Sequence, residues 1–237
     1  MTRMRIIASV LVAGLLLAGC DTGSGAAPRV FASADNGVRA MSADEILNAA
    51  RHALAQVTSF HLAGTTNTGR ELIELDLKVS GKNALGRTTV SGNEIQILVS
   101  GDRTYFKVTE AVLAAAVGAA EARRLAPRLA DSWIEPRKRY PVFEAVKRLV
   151  ARDNLLAAVG PVIKNGEPGR WADSPVILLT DEGGAFGQLI VPTVGEPLPL
   201  ALIHPGSPRA GRLEFTEYGA EFTGLEPPAD DDVIAVP

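Results

Sequence analysis

Two periodicities of apolar and polar positions follow each other along the first half of the chain. Apolar residues recur at helical spacing over residues 46–57, and Ser42 and Glu45 in front of them have the spacing of a helix-capping box. The period then changes to two from residue 59 to about 108, most clearly over residues 73–80, where Ile, Leu and Val alternate with Glu, Asp, Lys and Ser. Short Gly, Asn and Asp connections separate these runs. The pattern predicts one helix followed by an antiparallel meander of hairpins.

Helical and then extended patterns return in the second half. An Ala-rich stretch, Thr109 to Leu129, predicts a helix that Gly118 weakens and Pro127 disturbs. A further helix is predicted from about Val142 to Val159. Candidate strands follow at Val176 to Thr180, Gly187 to Val191, Leu198 to His204, Arg212 to Tyr218 and Glu221 to Gly224. Runs of strands and runs of helices predict an α+β fold, with one strongly curved antiparallel sheet and the helices laid on one face.

The N-terminus has the form of a secretory signal. Arg3 and Arg5 precede an apolar run from Ile6 to Ala18, which is shorter than the ~20 residues that a membrane span needs. The run ends in Leu17-Ala18-Gly19-Cys20, which resembles the lipobox of bacterial lipoproteins. In such proteins the cysteine receives diacylglycerol on sulfur, can carry a further N-acyl group, and becomes the first residue after cleavage. The resemblance implies a lipid anchor on Cys20, the only cysteine of the chain.

The sequence therefore predicts four parts. Residues 1–19 are a signal peptide, and residues 20–37 are the lipidated cysteine with a flexible tether rich in Gly, Ala and Ser. Residues 38–225 form the folded domain, and residues 226–237 form an acidic, Pro-rich tail that is expected to be loosely ordered.

Charge and composition exclude several classes of function. The chain has 24 basic and 27 acidic residues and a net charge of −3, so it has no basic surplus for nucleic acid. Aromatic residues make up only 5 % of the chain, so any cavity is expected to be lined by aliphatic side chains.

No catalytic or metal-binding motif is present. No pair among His52, His61 and His204 has metal-ligand spacing, and each is expected to have a surface or packing role. Residues 64–71 have the glycine spacing of a phosphate loop, but Arg and Glu replace its lysine and hydroxyl residue, so a turn is predicted. The expectation is a protein that is not an enzyme and binds no metal.

Two charged groups allow a functional and a plainer interpretation. Glu71, Glu74 and Asp76 lie on the polar face of a predicted strand, where a solvated face is favoured over an acid–base pair. Arg137-Lys138-Arg139 could contact anionic lipid headgroups, although three charges in a loop are more often only solvated.

The order of elements and several short segments resemble a known family. After the lipobox come Ser42-Ala43-Asp44-Glu45-Ile46, Ser59-Phe60-His61-Leu62-Ala63-Gly64 and, after the meander, Gly101 to Val108 before an Ala-rich helix that leads to a tryptophan. This order resembles actinobacterial lipoproteins of the LppX/LprG type, whose half-barrel fold is similar to that of the periplasmic lipoprotein carrier LolA. Several prolines in the second half, such as Pro192 and Pro199, depart from the family pattern.

The resemblance implies a function and a location. Members of this family hold lipids or lipoglycans in an apolar cavity between sheet and helices and help to move them across the cell envelope. The expected partners are the membrane, an acylated lipid or lipoglycan and an envelope transporter, on the extracytoplasmic face of the cell membrane. The alternative is an envelope sensor or interaction module that binds a membrane protein or a lipoprotein.

The alternating pattern also identifies the residues expected to line the cavity. They are the aliphatic and aromatic positions on one face of the predicted strands: Ile73, Leu75, Leu77, Val79, Ile95, Ile97, Val99, Leu213 and Phe215. The pattern identifies a buried face, and it does not separate a cavity from a filled core.

Overall fold

The structure is a computed structural model, and it describes the folded part of the chain in eight stretches. These are residues 35–67, 72–129, 132–151, 155–156, 159–164, 169–182, 187–203 and 211–236. All of them belong to one compact unit, Ser33–Pro237. The predicted signal peptide and Cys20 lie outside the described residues. In the stretches given above, no helix has both the length and the apolar character needed to cross a membrane.

Helix α1, Ala43–Gln56, begins at the predicted capping box. The backbone N–H of Glu45 donates to Ser42 Oγ at 3.4 Å, and the backbone N–H of Ser42 donates to Glu45 Oε2 at 2.7 Å. Two of the unpaired N–H groups at the start of the helix are satisfied in this way.

The other helices are shorter than the sequence predicts. The Ala-rich stretch forms two helices, α2 (Glu110–Val117) and α3 (Ala119–Leu129), because Gly118 adopts a φ of 91° that breaks the helix. Helix α4 is Pro141–Val150, so the predicted extent to Val159 is wrong. The backbone leaves the helical region at Ala151, although apolar residues continue beyond it.

The described strands alternate with short turns in the first half and are less regular in the second. They are β1 Ser59–Asn67, β2 Leu72–Ser80, β3 Asn83–Val90, β4 Asn93–Ser100, β5 Arg103–Val108, β6 Trp133–Pro136, β7 Val162–Lys164, β8 Gly169–Trp171, β9 Ser174–Asp181, β10 Gln188–Pro192, β11 Ala201–Ile203, β12 Arg212–Thr216 and β13 Val233–Val236. The predicted meander from residue 59 to about 108 is confirmed as β1 to β5. The strand predicted at residues 221–224 is absent, and β6, β7, β8 and β13 were not predicted.

All of these strands belong to a single open sheet. Its order is β13-β6-β5-β4-β3-β2-β1-β12-β11-β10-β9-β7, and β8 also pairs with β9. Every pairing is antiparallel except that of β13 with β6. The predicted fold class, α+β with a mainly antiparallel sheet and helices, is confirmed.

One face of the sheet, called the inner face below, packs against the helices α1 to α4. Its alternate side chains and the apolar sides of these helices form one continuous hydrophobic cluster. The ring of Phe143 in α4 stacks on Phe106 in β5 at a centroid distance of 4.6 Å. Arg51 Nη2 in α1 donates to the backbone oxygens of Leu156 and Val159, at 3.1 and 2.8 Å, and so links both residues to α1.

The C-terminal residues are part of the fold, so the prediction of a loosely ordered tail at 226–237 is wrong. The backbone N–H of Gly219 donates to the oxygen of Ser59, and Lys78 Nζ lies 5.6 Å from the centroid of the Phe222 ring on the outer face of the sheet. Strand β13 then pairs with β6, and its Val236 is fully buried. The alternation Val-Ile-Ala-Val at the end of the chain carried this signal behind an acidic, Pro-rich segment.

The last residues of the predicted tether are also fixed on the domain. Asp35 forms an isolated bridge with Val194, and Asn36 donates from its backbone to Thr193 and from Nδ2 to Pro192, both at 3.0 Å. The predicted tether boundary at residue 37 is therefore placed too late, and the ordered chain begins by Asp35.

Candidate functional site

A groove of about 590 Å³ lies between the helices and one end of the sheet. It is bordered by the end of α1, the second half of α4 and the strands that flank the β2–β3 and β4–β5 turns. Its lining is formed by Ala55, Val79, Gly81, Lys82, Asn83, Ala84, Val99, Thr104, Lys147, Val150 and Ala151.

The floor of the groove is apolar and shielded from water. Val79 is 2 % exposed, Ala84 4 % and Val150 2 %. Val99 and Thr104 are half-buried beside them. A ligand that reaches this floor therefore contacts mainly aliphatic carbon.

The rim of the groove is cationic. Lys82, in the β2–β3 turn, and Lys147, on α4, are both exposed. No carboxylate in the part of the chain that the structure describes lies within 4.0 Å of either ammonium group. Both lysines are thus available to an acidic group held at the mouth of the groove.

Helix α4 is held over the groove by aromatic packing. Phe143 stacks on Phe106 and meets the ring of Tyr140 edge-on at 5.9 Å. Val146 and Val150 follow Phe143 at helical spacing and are buried. The arrangement holds one side of α4 in the core and leaves Lys147 at the surface.

The predicted cavity residues separate into two groups. Val79 and Val99 line the groove. The others are buried: Leu75, Leu77, Ile95, Ile97, Leu213 and Phe215 belong to the hydrophobic cluster that faces the helices, and Ile73 is buried without belonging to it. The alternating pattern identified the inner face, but most of that face is filled by helix side chains.

The sequence analysis missed nine of the eleven lining residues. Ala55 and Ala84 carry no pattern that separates them from other alanines, and Lys147 and Val150 lie on a helix whose register against the sheet the sequence does not fix. The apolar spacing of Phe143, Val146 and Val150 could have placed Val150 on the buried side of α4.

The opposite, outer face of the sheet carries a line of hydrogen-bonded charges. His61 Nε2 lies 2.8 Å from Asp76 Oδ1, and Arg87 Nη2 donates to Asp76 Oδ2 at 3.1 Å. The hydrogen bond with His61, followed by the charges of His61 and Arg87, lowers the pKa of Asp76 below its ordinary value. His61 Nδ1 also lies 3.5 Å from Glu217 Oε1. Of the predicted polar face, Asp76 is thus ion-paired, and Glu71 lies outside the described residues.

A polar depression of about 570 Å³ adjoins this line on the outer face, and it includes Glu74, Asp76 and Glu94. Within the described stretches, no group of three or more His, Cys, Asp and Glu side chains is placed to hold a metal ion. Along β2, Glu74 and Asp76 of the depression lie on the face opposite to Val79 of the groove.

Comparison with known proteins gives similar folds and no sequence relative. No family model and no curated protein sequence matches the chain. It is similar to the crystal structure of LprF from Mycobacterium bovis, with 13 % identity and a TM-score of 0.48 over 79 % of this chain and 97 % of that one. It is also similar to the lipoprotein LppX of Mycobacterium tuberculosis, with 16 % identity and a TM-score of 0.46 over 76 % of this chain and 98 % of that one. Both are of the lipoprotein type that the sequence resembles.

Proposed function

We propose that this chain is an envelope lipoprotein, anchored through an acylated Cys20, that binds the acyl part of a membrane lipid in the groove and carries it. The observation that supports the proposal most strongly is the groove itself. It combines a buried aliphatic floor with a cationic rim, next to a hydrophobic cluster formed by the sheet and the helices.

The size and lining of the groove suit an acyl chain. A volume of about 590 Å³ lies within the ~300–1,000 Å³ of typical small-molecule sites. Burial of about ten methylene groups contributes roughly 8 kcal/mol before the cost of ordering the chain. Lys82 and Lys147 at the rim place positive charge where the headgroup of an acidic lipid would remain in water.

A carrier of this kind needs no covalent step. The hydrogen-bonded pair of His61 and Asp76 lies on the outer face, so neither side chain reaches a lipid in the groove. The protein shields the apolar surface of the acyl chain from water while the lipid moves between two membranes, or between a membrane and a protein partner such as an envelope transporter.

The proposed anchor has a direct test. In cells fed radiolabelled palmitate, the full-length chain is expected to incorporate label, and Cys20→Ser is expected to lose it completely, since no other cysteine is present. Undiminished labelling of Cys20→Ser would show that the acyl group is elsewhere and would refute the anchor.

The proposed carrier activity is tested by exchange between vesicles. The chain from Asp21 to Pro237 contains every described residue and lacks the anchor cysteine. Substoichiometric amounts are expected to accelerate the movement of a fluorescent phospholipid from donor to acceptor vesicles by at least about tenfold. That factor corresponds to lowering the free-energy barrier to transfer by about 1.4 kcal/mol. An exchange rate equal to that of vesicles alone would overturn the carrier proposal.

A further inference from the structure

Three chain connections meet at one end of the sheet, the end at which the groove lies. Adjacent antiparallel strands run in opposite directions, so the β2–β3 turn, the β4–β5 turn and the loop after β6 all project from the same end. The pairs Ser80↔Asn83 and Ser100↔Arg103 close the two turns there. This end is called the basic end below.

The basic end is rich in exposed cations. The β2–β3 turn contributes Lys82, and the loop after β6 contributes Arg137, Lys138 and Arg139, all exposed. Among the described residues, no carboxylate lies within 4.0 Å of any of these four charged groups. Lys147 on the groove rim adds a fifth cation.

Few acidic groups within the three connections offset these charges. Asp102, in the β4–β5 turn, is the one acidic residue within the three connections. Glu135, at the end of β6, is held by Arg103, whose Nε and Nη2 donate to its two oxygens at 2.9 and 2.8 Å. This fork lowers the pKa of Glu135 and neutralises it with a cation outside the cluster.

Acidic residues lie at the opposite end of several strands. Glu94 lies at the start of β4, Glu110 begins α2 just after β5, and Glu182 follows the end of β9. Sheet topology places these three positions at the end away from Lys82. The three connections are therefore basic and the opposite ends of β4 and β5 are acidic, although Glu196 and Glu217 follow β10 and β12 at the same end of the sheet as Lys82.

The chain from the proposed anchor enters at the basic end. Asp35 and Asn36 are fixed just beyond Pro192, the last residue of β10. The antiparallel pairings from β10 through β11, β12 and β1 to β2 bring that end of β10 to the same end of the sheet as Ser80. Fourteen residues separate Cys20 from Asp35, and the two can be at most about 50 Å apart.

We propose that the basic end is a docking surface for an anionic phospholipid bilayer, and that docking turns the mouth of the groove towards the headgroups. The inference rests on the proposed function for the anchor and for the use of the groove. The exposed cations of the basic end and the entry of the chain at Asp35 both favour an orientation with this end towards the membrane. Because Lys82 belongs to both the docking surface and the groove rim, docking places the mouth of the groove beside the lipid headgroups.

Vesicle co-sedimentation tests the docking surface without the anchor. The chain from Asp21 to Pro237 is expected to bind phosphatidylglycerol-containing vesicles, to bind pure phosphatidylcholine vesicles at least tenfold more weakly, and to be released by salt. Each cation near an anionic surface contributes about fivefold to binding, so the combined change Arg137→Gln, Lys138→Gln and Arg139→Gln, which leaves the groove lining unaltered, is expected to weaken it about a hundredfold.

A matched variant separates local docking from net charge. Lys107→Gln, Arg123→Gln and Arg128→Gln remove the same number of charges from β5 near its other end and from α3. This control is expected to retain binding within about threefold of the unaltered chain, and circular dichroism checks that both variants are folded. Equal losses in the two variants, or equal binding of the unaltered chain to neutral and anionic vesicles, would overturn the docking surface.

The docking inference and the carrier proposal fail in different ways. Exchange between neutral vesicles measures lipid carriage without electrostatic docking, and the basic-end variant is expected to retain it to within a few-fold. Exchange that persists together with charge-independent vesicle binding would refute docking alone. Charge-dependent binding without any exchange would refute the carrier alone.

Discussion

Gly64→Ala and Gly86→Ala are each expected to lower the free energy of unfolding by about 3 kcal/mol or more. Both glycines lie on the inner face of the sheet, where a neighbouring strand passes too close for a side chain. A Cβ at Gly64 would lie 1.9 Å from the backbone oxygen of Arg212 in β12, and a Cβ at Gly86 would lie 2.2 Å from the backbone oxygen of Asp76 in β2. Backbone atoms held in a sheet cannot move aside readily, so overpacking is costly at both sites.

The two positions differ in a useful way. Gly64 has a φ of 135°, so alanine there adds backbone strain to the collision. Gly86 has no such φ, and its cost is steric alone. Glycines within strands mark sites where a sheet bends or another backbone approaches closely, and these two lie in β1 and β3, on either side of β2.

Urea denaturation followed by circular dichroism measures both effects, with Gly92→Ala as control. Gly92 lies in the β3–β4 turn with a φ of 75°, and no atom lies within 4 Å of the position that a Cβ would take there. Its replacement should therefore lower the free energy of unfolding by only about 1–2 kcal/mol, the strain of a left-handed alanine. Losses at Gly64 and Gly86 no larger than that of Gly92 would contradict the close strand approach.

Ala55→Trp is expected to abolish most lipid binding while leaving the fold intact. Ala55 lies near the end of α1, lines the groove and is exposed. A larger side chain at this position therefore enters the groove without displacing core residues. An indole at this position occupies space over Val79 and Val150 that an acyl chain would otherwise fill. The lower helix propensity of tryptophan is expected to destabilise α1 by less than about 1 kcal/mol.

The size of the expected effect follows from the methylenes displaced. If the indole excludes two to three methylene groups from the floor, at about 0.8 kcal/mol each, lipid affinity falls about tenfold to a hundredfold. Ala145→Trp is the matched control, because Ala145 is an exposed alanine on α4 that does not line the groove. It introduces the same bulky side chain on a helix and is expected to leave lipid affinity unchanged.

Local patterns predicted the first half of the fold well. The capping box at Ser42 and the five strands from residue 59 to 108 follow from contacts between residues close in sequence, namely helix spacing and tight turns. The inner-face positions also follow from strict alternation, as the burial of Leu75 and Ile97 confirms.

Long-range pairings were beyond local pattern. Strand β13 pairs with β6 across about a hundred residues of chain, and neither strand is longer than four residues. The fixed position of Asn36 depends on backbone groups near Pro192 that no nearby sequence indicates. The groove depends on how far α4 lies from the sheet, which the packing of Phe143 on Phe106 sets. The sequence alone could therefore not separate the two groove residues, Val79 and Val99, from the filled core.

Native mass spectrometry of the chain from Asp21 to Pro237 tests the central claim, that the groove is a lipid site. After incubation with phospholipid vesicles and removal of the vesicles, the unaltered chain and Ala145→Trp are expected to retain one phospholipid per molecule, and Ala55→Trp is expected to appear mainly empty. Lipid-free spectra for the unaltered chain, or equal occupancy of all three proteins, would contradict the account.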